Sequence, residues 1–427
     1  MIIFFVAALA SLSTFAIERH GLDDFVRLAL SNGDAVKIQQ AQVAFAEGRE
    51  DFARSKRWFT GSVEALVAPV PAASGNALDS ETNWNDWGGF IGTSIEIKQP
   101  IFTFGAIPSA IEAAQYGVEA ERALLEKEKW SIRYEIAELY YGYQLAFELS
   151  QLGEDVVKKL EGASNKLSKN SSSYKDLTMA LADVRSKLME AKNGKEQARL
   201  AMAWKIGKLS EPTVYWDQSN LKSREFTLRD LERYKELLKM HRADWSALEA
   251  ETKAKKKLFE VEQGLSFPLL FFYAKGQMNW AENRKNDSAG PFAYDPSNAK
   301  SGIVGLGIKW DLDFMEKGAK RSQARAEYLK ASSKKGYYQQ GMMVEIEKKF
   351  MDAEFRKKSL EHFSEAEKIA SKIYRDALVS YGLKNITGRQ LLDKMGQYGK
   401  LKQQYLDAVY RYNLATHDLE KTIGSLE

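Results

Sequence analysis

Residues 92–97 read Gly-Thr-Ser-Ile-Glu-Ile, and residues 305–310 read Gly-Leu-Gly-Ile-Lys-Trp, about 210 residues further along the chain. Both segments alternate between apolar and polar or small side chains, which is the pattern of a half-buried strand. Two other pairs of segments repeat at nearly the same distance: 58–62 with 265–269, and 184–207 with 401–424. Three blocks in one order indicate a tandem duplication of the whole chain.

Each repeat has the pattern of a helix, a strand, a loop, a second strand, a very long helix, a turn and a closing helix. In the first repeat, 17–221, we expect strands at about 59–70 and 87–99, a long helix over 106–168 and a closing helix over 174–207. In the second repeat, 222–427, the strands fall at about 267–280 and 301–311, and the helices at 318–380 and 388–425. The segments 71–86 and 281–300 are rich in Asn, Ser, Gly, Pro and Asp, which predicts surface loops.

The composition argues against several classes of function. The chain has no cysteine, so disulfides, thiolate nucleophiles, Cys-ligated zinc and an acylated N-terminal cysteine are excluded. Its four histidines are far apart and form no metal-binding pair, and 62 basic against 58 acidic residues give a net charge of only +4. We therefore expect no metal, no cofactor, no nucleic-acid partner and no enzymatic activity.

The start of the sequence predicts export. Residues 1–16 form an apolar run that ends in Thr14-Phe15-Ala16, with small residues at the −3 and −1 positions of a cleavage site. We read this run as a signal peptide, and the alternative is a buried N-terminal helix. Beyond it no run of 18 uncharged apolar residues occurs, so any part of the chain that crosses a bilayer must do so with strands.

The strands predict a self-assembling pore. Each has roughly ten residues, which is enough for a tilted strand to cross a bilayer. Four strands cannot close a barrel, so the chain must oligomerise: two copies give eight strands, and three give twelve, which enclose a lumen. The long helices would reach about 95 Å and show the seven-residue spacing of left-handed coiled coils. Together these features indicate a conduit.

The alternative is a secreted coiled-coil scaffold or adhesin whose strands form a small capping sheet without a pore. The placement of aromatic residues discriminates between the two hypotheses, because a membrane barrel carries Trp and Tyr near both interfaces. The large aromatics of the strand regions lie at strand ends or within the strand pairs, namely Trp58, Trp84, Trp87, Tyr273, Trp280 and Trp310. This distribution favours the barrel.

Three segments carry a resemblance to a known family: Leu22–Asn32, Gln99–Gly105 and Tyr381–Asp393. With the order and duplication of the blocks, the mature chain resembles the TolC family of outer-membrane efflux and secretion channels. The resemblance implies a mainly helical homotrimer, with a coiled-coil helical barrel in the periplasm and a twelve-stranded transmembrane β-barrel. It further implies a passive exit duct in the outer-membrane lipid, working with a periplasmic adaptor and an inner-membrane pump or ABC transporter. Whether drugs, metal ions or proteins pass is left open.

Residue by residue, the resemblance places a periplasmic gate at Asp176, Tyr381, Gln390 and Asp393. Many members carry an acid where this chain has Gln390, and some use an arginine where it has Ile386. A threefold ring of Asp393 would still attract cations. The alternatives are that Asp393 is simply an exposed helix carboxylate and that Asp176 only favours the first turn of its helix.

The resemblance also places adaptor docking on two polar helical turns, 166–173 and 382–388. The docking residues are Lys166, Ser173, Gly382, Lys384 and Gly388, with Lys384 at a position where glycine is common in the family. Residues 170–173 read Asn-Ser-Ser-Ser, which predicts a helix start capped by serine.

Overall fold

The computed structural model describes residues 21–75, 80–165, 168–169, 171–208, 220–286 and 296–426, so the predicted signal peptide lies outside it. The helices are α1 Leu22–Asn32, α2 Asp34–Ser55, α3 Ala106–Ser164, α4 Ser172–Lys205, α5 Leu231–His241, α6 Ala243–Gly264, α7 Phe314–Gly382 and α8 Gly388–Ile423. The strands are β1 Thr60–Gly75, β2 Ser80–Phe102, β3 Leu269–Ala281, β4 Arg284–Asn286 and β5 Lys300–Lys309. A 3₁₀ helix covers Pro296–Asn298. Both halves of the chain show two helices, a strand pair and two long helices, as the predicted duplication requires.

The compact units of the fold do not coincide with the sequence repeats. One unit comprises the described parts of Met1–Gln40, Leu124–Trp245 and Gln339–Glu427, and the other comprises Ala41–Ala123 and Ser246–Tyr338. Each unit draws on both repeats. The reason is that elements of one repeat join elements of the other, as where β2 of the first repeat forms an antiparallel ladder with β3 of the second.

In the second unit the strands form one sheet in the order β4-β1-β2-β3-β5. The long strands are antiparallel, and the short β4 runs parallel to the end of β1. Among the described residues, 60–71 of β1 and all of β5 pair on one side only. The sheet therefore has two unpaired edges within a single chain.

The two faces of the sheet differ in chemistry, as the alternation predicts. The register places most of the larger apolar side chains on one face, and nine of them are exposed in the single chain: Val63, Val67, Ile91, Ile95, Met278, Trp280, Val304, Leu306 and Ile308. The other face carries Glu64, Glu96, Lys98, Tyr273 and Lys275. There Lys98 pairs with Glu96, and the hydroxyl of Tyr273 donates to the same carboxylate at 3.1 Å.

The predicted loops are shorter than expected. Residues 71–86 are mostly strand, because β1 continues to Gly75 and β2 begins at Ser80, with a register shift between Pro71 and Ala72. The loop prediction was wrong here because a bulge and an unpaired edge let a strand accommodate proline. The segment 281–300 likewise contains β4 and the 3₁₀ helix.

The single helix expected before each strand pair is in fact two helices. The break between α1 and α2 falls at Gly33, where a β-carbon would lie 2.4 Å from the carbonyl oxygen of Ala29. Only a residue without a side chain fits this close backbone approach. No helix in the described ranges is both long enough and apolar enough to cross a membrane.

The first unit has a mixed core. One apolar cluster packs α1 against α3 and the end of α4, around Phe25, Ile136 and Met202, all with exposed fractions of 0%. A polar cluster lies on α8, where Glu420 is 1% exposed and receives two hydrogen bonds from Arg224, at 2.6 and 2.8 Å. The extended segment that holds Arg224 is also fixed by Asn413, which accepts from the Arg224 backbone amide and donates to the carbonyl of Lys222.

Candidate functional site

The connection between α3 and α4 is the first of the two predicted docking turns, and α4 begins there with the predicted serine cap. The Ser171 side chain accepts a hydrogen bond from the backbone amide of Tyr174 at 3.2 Å and donates to the carbonyl of Ser168 at 2.8 Å. These contacts satisfy an amide that the helix itself cannot pair. Of the predicted docking residues, Ser173 lies in the first turn of α4 and Lys166 lies outside the described residues.

The second turn ends α7 with a Schellman motif. The amide of Lys384 donates to the carbonyl of Tyr381 at 3.0 Å, and the amide of Asn385 donates to the carbonyl of Ser380 at 2.9 Å. Lys384 has φ = 61°, the left-handed conformation that this motif requires of the residue after the helix. A glycine would adopt this conformation freely, whereas the lysine occupies it under strain.

Replacing Lys384 with glycine should raise the free energy of unfolding by about 0.5–1 kcal/mol, since the left-handed strain outweighs the entropy of a freer unfolded chain. Thermal unfolding followed by circular dichroism measures the change. Lys384→Ala is the matched control, because it removes the same charge and keeps the strain. Equal stability of the two variants would contradict the explanation.

Gln390 has a structural partner at the start of α8. Thr387 is the N-cap residue, and its side chain accepts from the Gln390 amide at 3.3 Å. In return, the side-chain oxygen of Gln390 accepts from the Thr387 amide at 2.8 Å, which completes a capping box. The capping box is by itself a sufficient structural reason for a glutamine at position 390, and it does not require that Gln390 act in a gate.

The structure brings two of the predicted gate residues together. Asp176 of α4 and Asp393 of α8 line one groove, bounded by α3, α4 and α8, with a volume of about 880 Å³. Arg389, one helical turn before Asp393, lines the same groove. In the described part of the chain no carboxylate forms an ion pair with Arg389.

Arg389 is not among the residues predicted for the site, although the sequence signal for it is local. Residues four apart lie on one face of a helix, so Arg389 and Asp393 must share a side of α8. By contrast, Tyr381 and Gln390 are not among the residues that line the groove. The ring of Tyr381 lies beside the start of α8, where a β-carbon on Gly388 would be 3.9 Å from its Cε2 atom. Gly382 is the last residue of α7.

Comparison with known proteins gives a clear result for structure and none for sequence. No family model matches the chain, and no curated protein matches it. Among solved structures, the outer-membrane channel OprN superposes with a TM-score of 0.78 at 16% identity, covering 95% of this chain and 90% of that one. The CmeC outer membrane channel of Campylobacter jejuni gives 0.78 at 14% identity, with coverage of 94% and 85%.

The open state of the MtrE outer membrane channel of Neisseria gonorrhoeae also superposes with a TM-score of 0.78, at 15% identity and with coverage of 95% and 89%. The similarity spans nearly the whole of each chain, so it includes the strand sheet, the paired long helices and the duplicated order of elements. The structural part of the predicted resemblance is confirmed: this chain has the fold of the TolC-type outer-membrane channels.

Proposed function

We propose that the protein is the outer-membrane exit duct of a tripartite efflux or type I secretion system. The observation that carries this proposal is the exposed apolar face of the sheet, with side chains such as Val67 at 76% and Ile308 at 74% exposed. A face of this kind, backed by a charged one, is what a strand needs when it separates lipid from an aqueous lumen. The names of the structural neighbours, outer-membrane channels, agree with it.

The assembly that this function requires is a homotrimer. The unpaired edges of β1 and β5 supply backbone donors and acceptors that lipid cannot satisfy, so they must pair with other copies of the chain. Three copies give twelve strands, which enclose a lumen, whereas eight strands are filled by their own side chains. Exposed apolar residues on the helices, such as Phe45, Phe52 and Phe355, also favour self-association.

The gate of this duct would be formed at the helical turns. Asp176 and Asp393 share a groove there, and three copies of Asp393 would concentrate negative potential on the path of a cation. Tyr381 would position the α7–α8 turn. The adaptor would dock on the turns that contain Ser173, Gly382, Lys384 and Gly388, and the duct itself would consume no energy.

Single-channel conductance in a planar bilayer tests the proposal. The purified protein should open in discrete steps, and micromolar multivalent cations on the periplasmic side should block it. Asp393→Asn should weaken the block by about 10-fold or more, because three carboxylates are lost at once. Asp407→Asn is the control, since Asp407 lies on the same helix and is already paired with Arg411.

Two results would contradict parts of this proposal. If the protein forms no pores and stays in solution without detergent, it is a scaffold rather than a duct. If pores form and both variants block like the native protein, the duct stands and the acidic gate does not.

A further inference from the structure

The junction between α2 and β1 carries two cations followed by two aromatic residues. Lys56, Arg57, Trp58 and Phe59 are all exposed, and Trp58 reaches an exposed fraction of 67%. The equivalent segment of the second repeat, 263–266, reads Gln-Gly-Leu-Ser and has no cation. The feature therefore occurs once in each chain, and the duplication does not explain it.

The cations of this junction differ from others where helices and strands meet. At the β5–α7 junction each lysine has a carboxylate of its own chain: Lys309 pairs with Asp311, Lys317 with Asp313 and Lys320 with Glu316. Over the residues that the structure describes, no carboxylate pairs with Lys56 or Arg57. The Nζ atom of Lys56 lies 4.5 Å from the ring centroid of Phe52 instead. Their two charges therefore have no carboxylate partner among the residues that the structure describes.

The backbone at this point is firmly held. The Arg57 amide donates to the carbonyl of Arg54 at 3.1 Å, and the Trp58 amide donates to that of Ser55 at 3.0 Å. The Nε2 atom of Gln99, on β2, donates to the carbonyl of Arg57 at 2.7 Å. The four side chains are thus projected from a fixed position beside the sheet.

Their order along the chain is the order of layers in a bilayer. Phe59 directly precedes β1, and the alternation of that strand, continued by one residue, places it on the side of Val63 and Val67, the exposed apolar face. From β1 back toward α2, the chain presents apolar residues, then the two aromatic residues, then the two cations. A bilayer presents hydrocarbon, then the interface that Trp favours, then the phosphate layer that attracts Lys and Arg.

We propose that Lys56, Arg57 and Trp58 bind the headgroup of an anionic phospholipid, with the two cations on its phosphate and the indole at the interface. Each chain has one such site, and a trimer has three. The inference rests on the proposed function, because it requires the apolar face to lie in a bilayer. It adds that the duct selects among lipids, and that it does so through the first repeat.

Lipid binding by the full-length protein in detergent tests the inference. Phosphatidylglycerol or phosphatidylcholine is titrated in, and retained lipid is counted by native mass spectrometry. The native protein should prefer phosphatidylglycerol. In the double variant Lys56→Gln/Arg57→Gln this preference should fall about 30-fold, because each of the two lost cations contributes about 1 kcal/mol near an anionic surface. The control Lys357→Gln/Lys368→Gln removes two exposed lysines of α7 and should retain it.

Each other outcome points to a different failure. Equal preference in the double variant and the control would overturn the lipid site. Full competition by inorganic phosphate would show a site for the free anion rather than for a lipid. Conductance in a neutral bilayer separates the two proposals. If every variant forms channels but none prefers an anionic lipid, only the lipid site is refuted. If the native protein forms no channels, the duct itself is refuted.

Discussion

Replacing Arg224 with methionine should lower the free energy of unfolding by about 3–5 kcal/mol, because the change leaves the buried Glu420 carboxylate without its arginine partner. Glu420 is 1% exposed and receives both hydrogen bonds of the Arg224 guanidinium. The same change removes an anchor of the extended segment before α5. Chemical denaturation of the detergent-solubilised protein, followed by circular dichroism, measures the loss.

Two controls make this expectation specific. Arg411→Met breaks an exposed pair, in which Arg411 and Asp407 lie 2.7 Å apart with side chains 53% and 44% exposed, and should cost no more than about 1 kcal/mol. Arg224→Met combined with Glu420→Leu removes both charges and should recover most of the loss. If Arg224→Met costs no more than Arg411→Met, the buried pair does not stabilise this unit.

The same pair gives the first unit a pH dependence. Burial alone would raise the pKa of the Glu420 carboxyl, but hydrogen bonds from His417 and Arg224 outweigh it and hold the pKa below its usual value of 4.5. A carboxyl whose pKa is lowered by folding stabilises the protein above its unfolded pKa, and the contribution is lost as the pH falls through the folded pKa. The native protein should therefore lose more stability between about pH 6 and pH 3 than Glu420→Gln, which lacks this group.

Leu306→Arg should cost about 2–4 kcal/mol when the protein folds into a bilayer, since it places a charge on the face that we assign to lipid. Leu306 is 71% exposed in the single chain and lies on β5 opposite Phe272. Folding into phosphatidylcholine vesicles, titrated with urea and followed by tryptophan fluorescence, gives the difference from the native protein.

Gln277→Arg is the matched control, because Gln277 lies on the opposite, polar face of the same sheet. It introduces the same side chain and should change the folding free energy by less than about 1 kcal/mol, since lumen substitutions face water. A soluble scaffold would tolerate an arginine at either position. Equal effects of the two variants would therefore refute a lipid-facing sheet.

Much of the fold was predictable because it depends on patterns of neighbouring residues in the sequence. Alternation over residues 92–97 and 305–310 predicted strands, and the register confirms the two faces that it implied. The serine run at 170–173 predicted a cap, which Ser171 provides. Such signals survive in a single sequence because strand pleat and helix start are decided by neighbours a few residues apart.

The candidate site was less predictable, because its members meet through packing. Asp176 and Asp393 were selected by resemblance, and the structure adds a shared groove and a third member, Arg389. Gln390 was predicted at the gate from its position, but it forms a capping box with Thr387, and that contact depends on where the helix begins. A shift of helix start by a few residues would have released its side chain.

Periodicity and turn chemistry along the chain were enough to establish the duplication, the helices and strands, and which side chains share a face. They could not establish the compact units, which combine both repeats, or the pair of Arg224 with Glu420, nearly two hundred residues apart. Those features depend on which faces meet, and that is settled by the burial of apolar area and the satisfaction of buried charge over the whole chain. Sequence patterns indicate helices, strands and their faces because these depend on neighbouring residues. The compact units and the buried ion pair depend on contacts that form only when the chain folds.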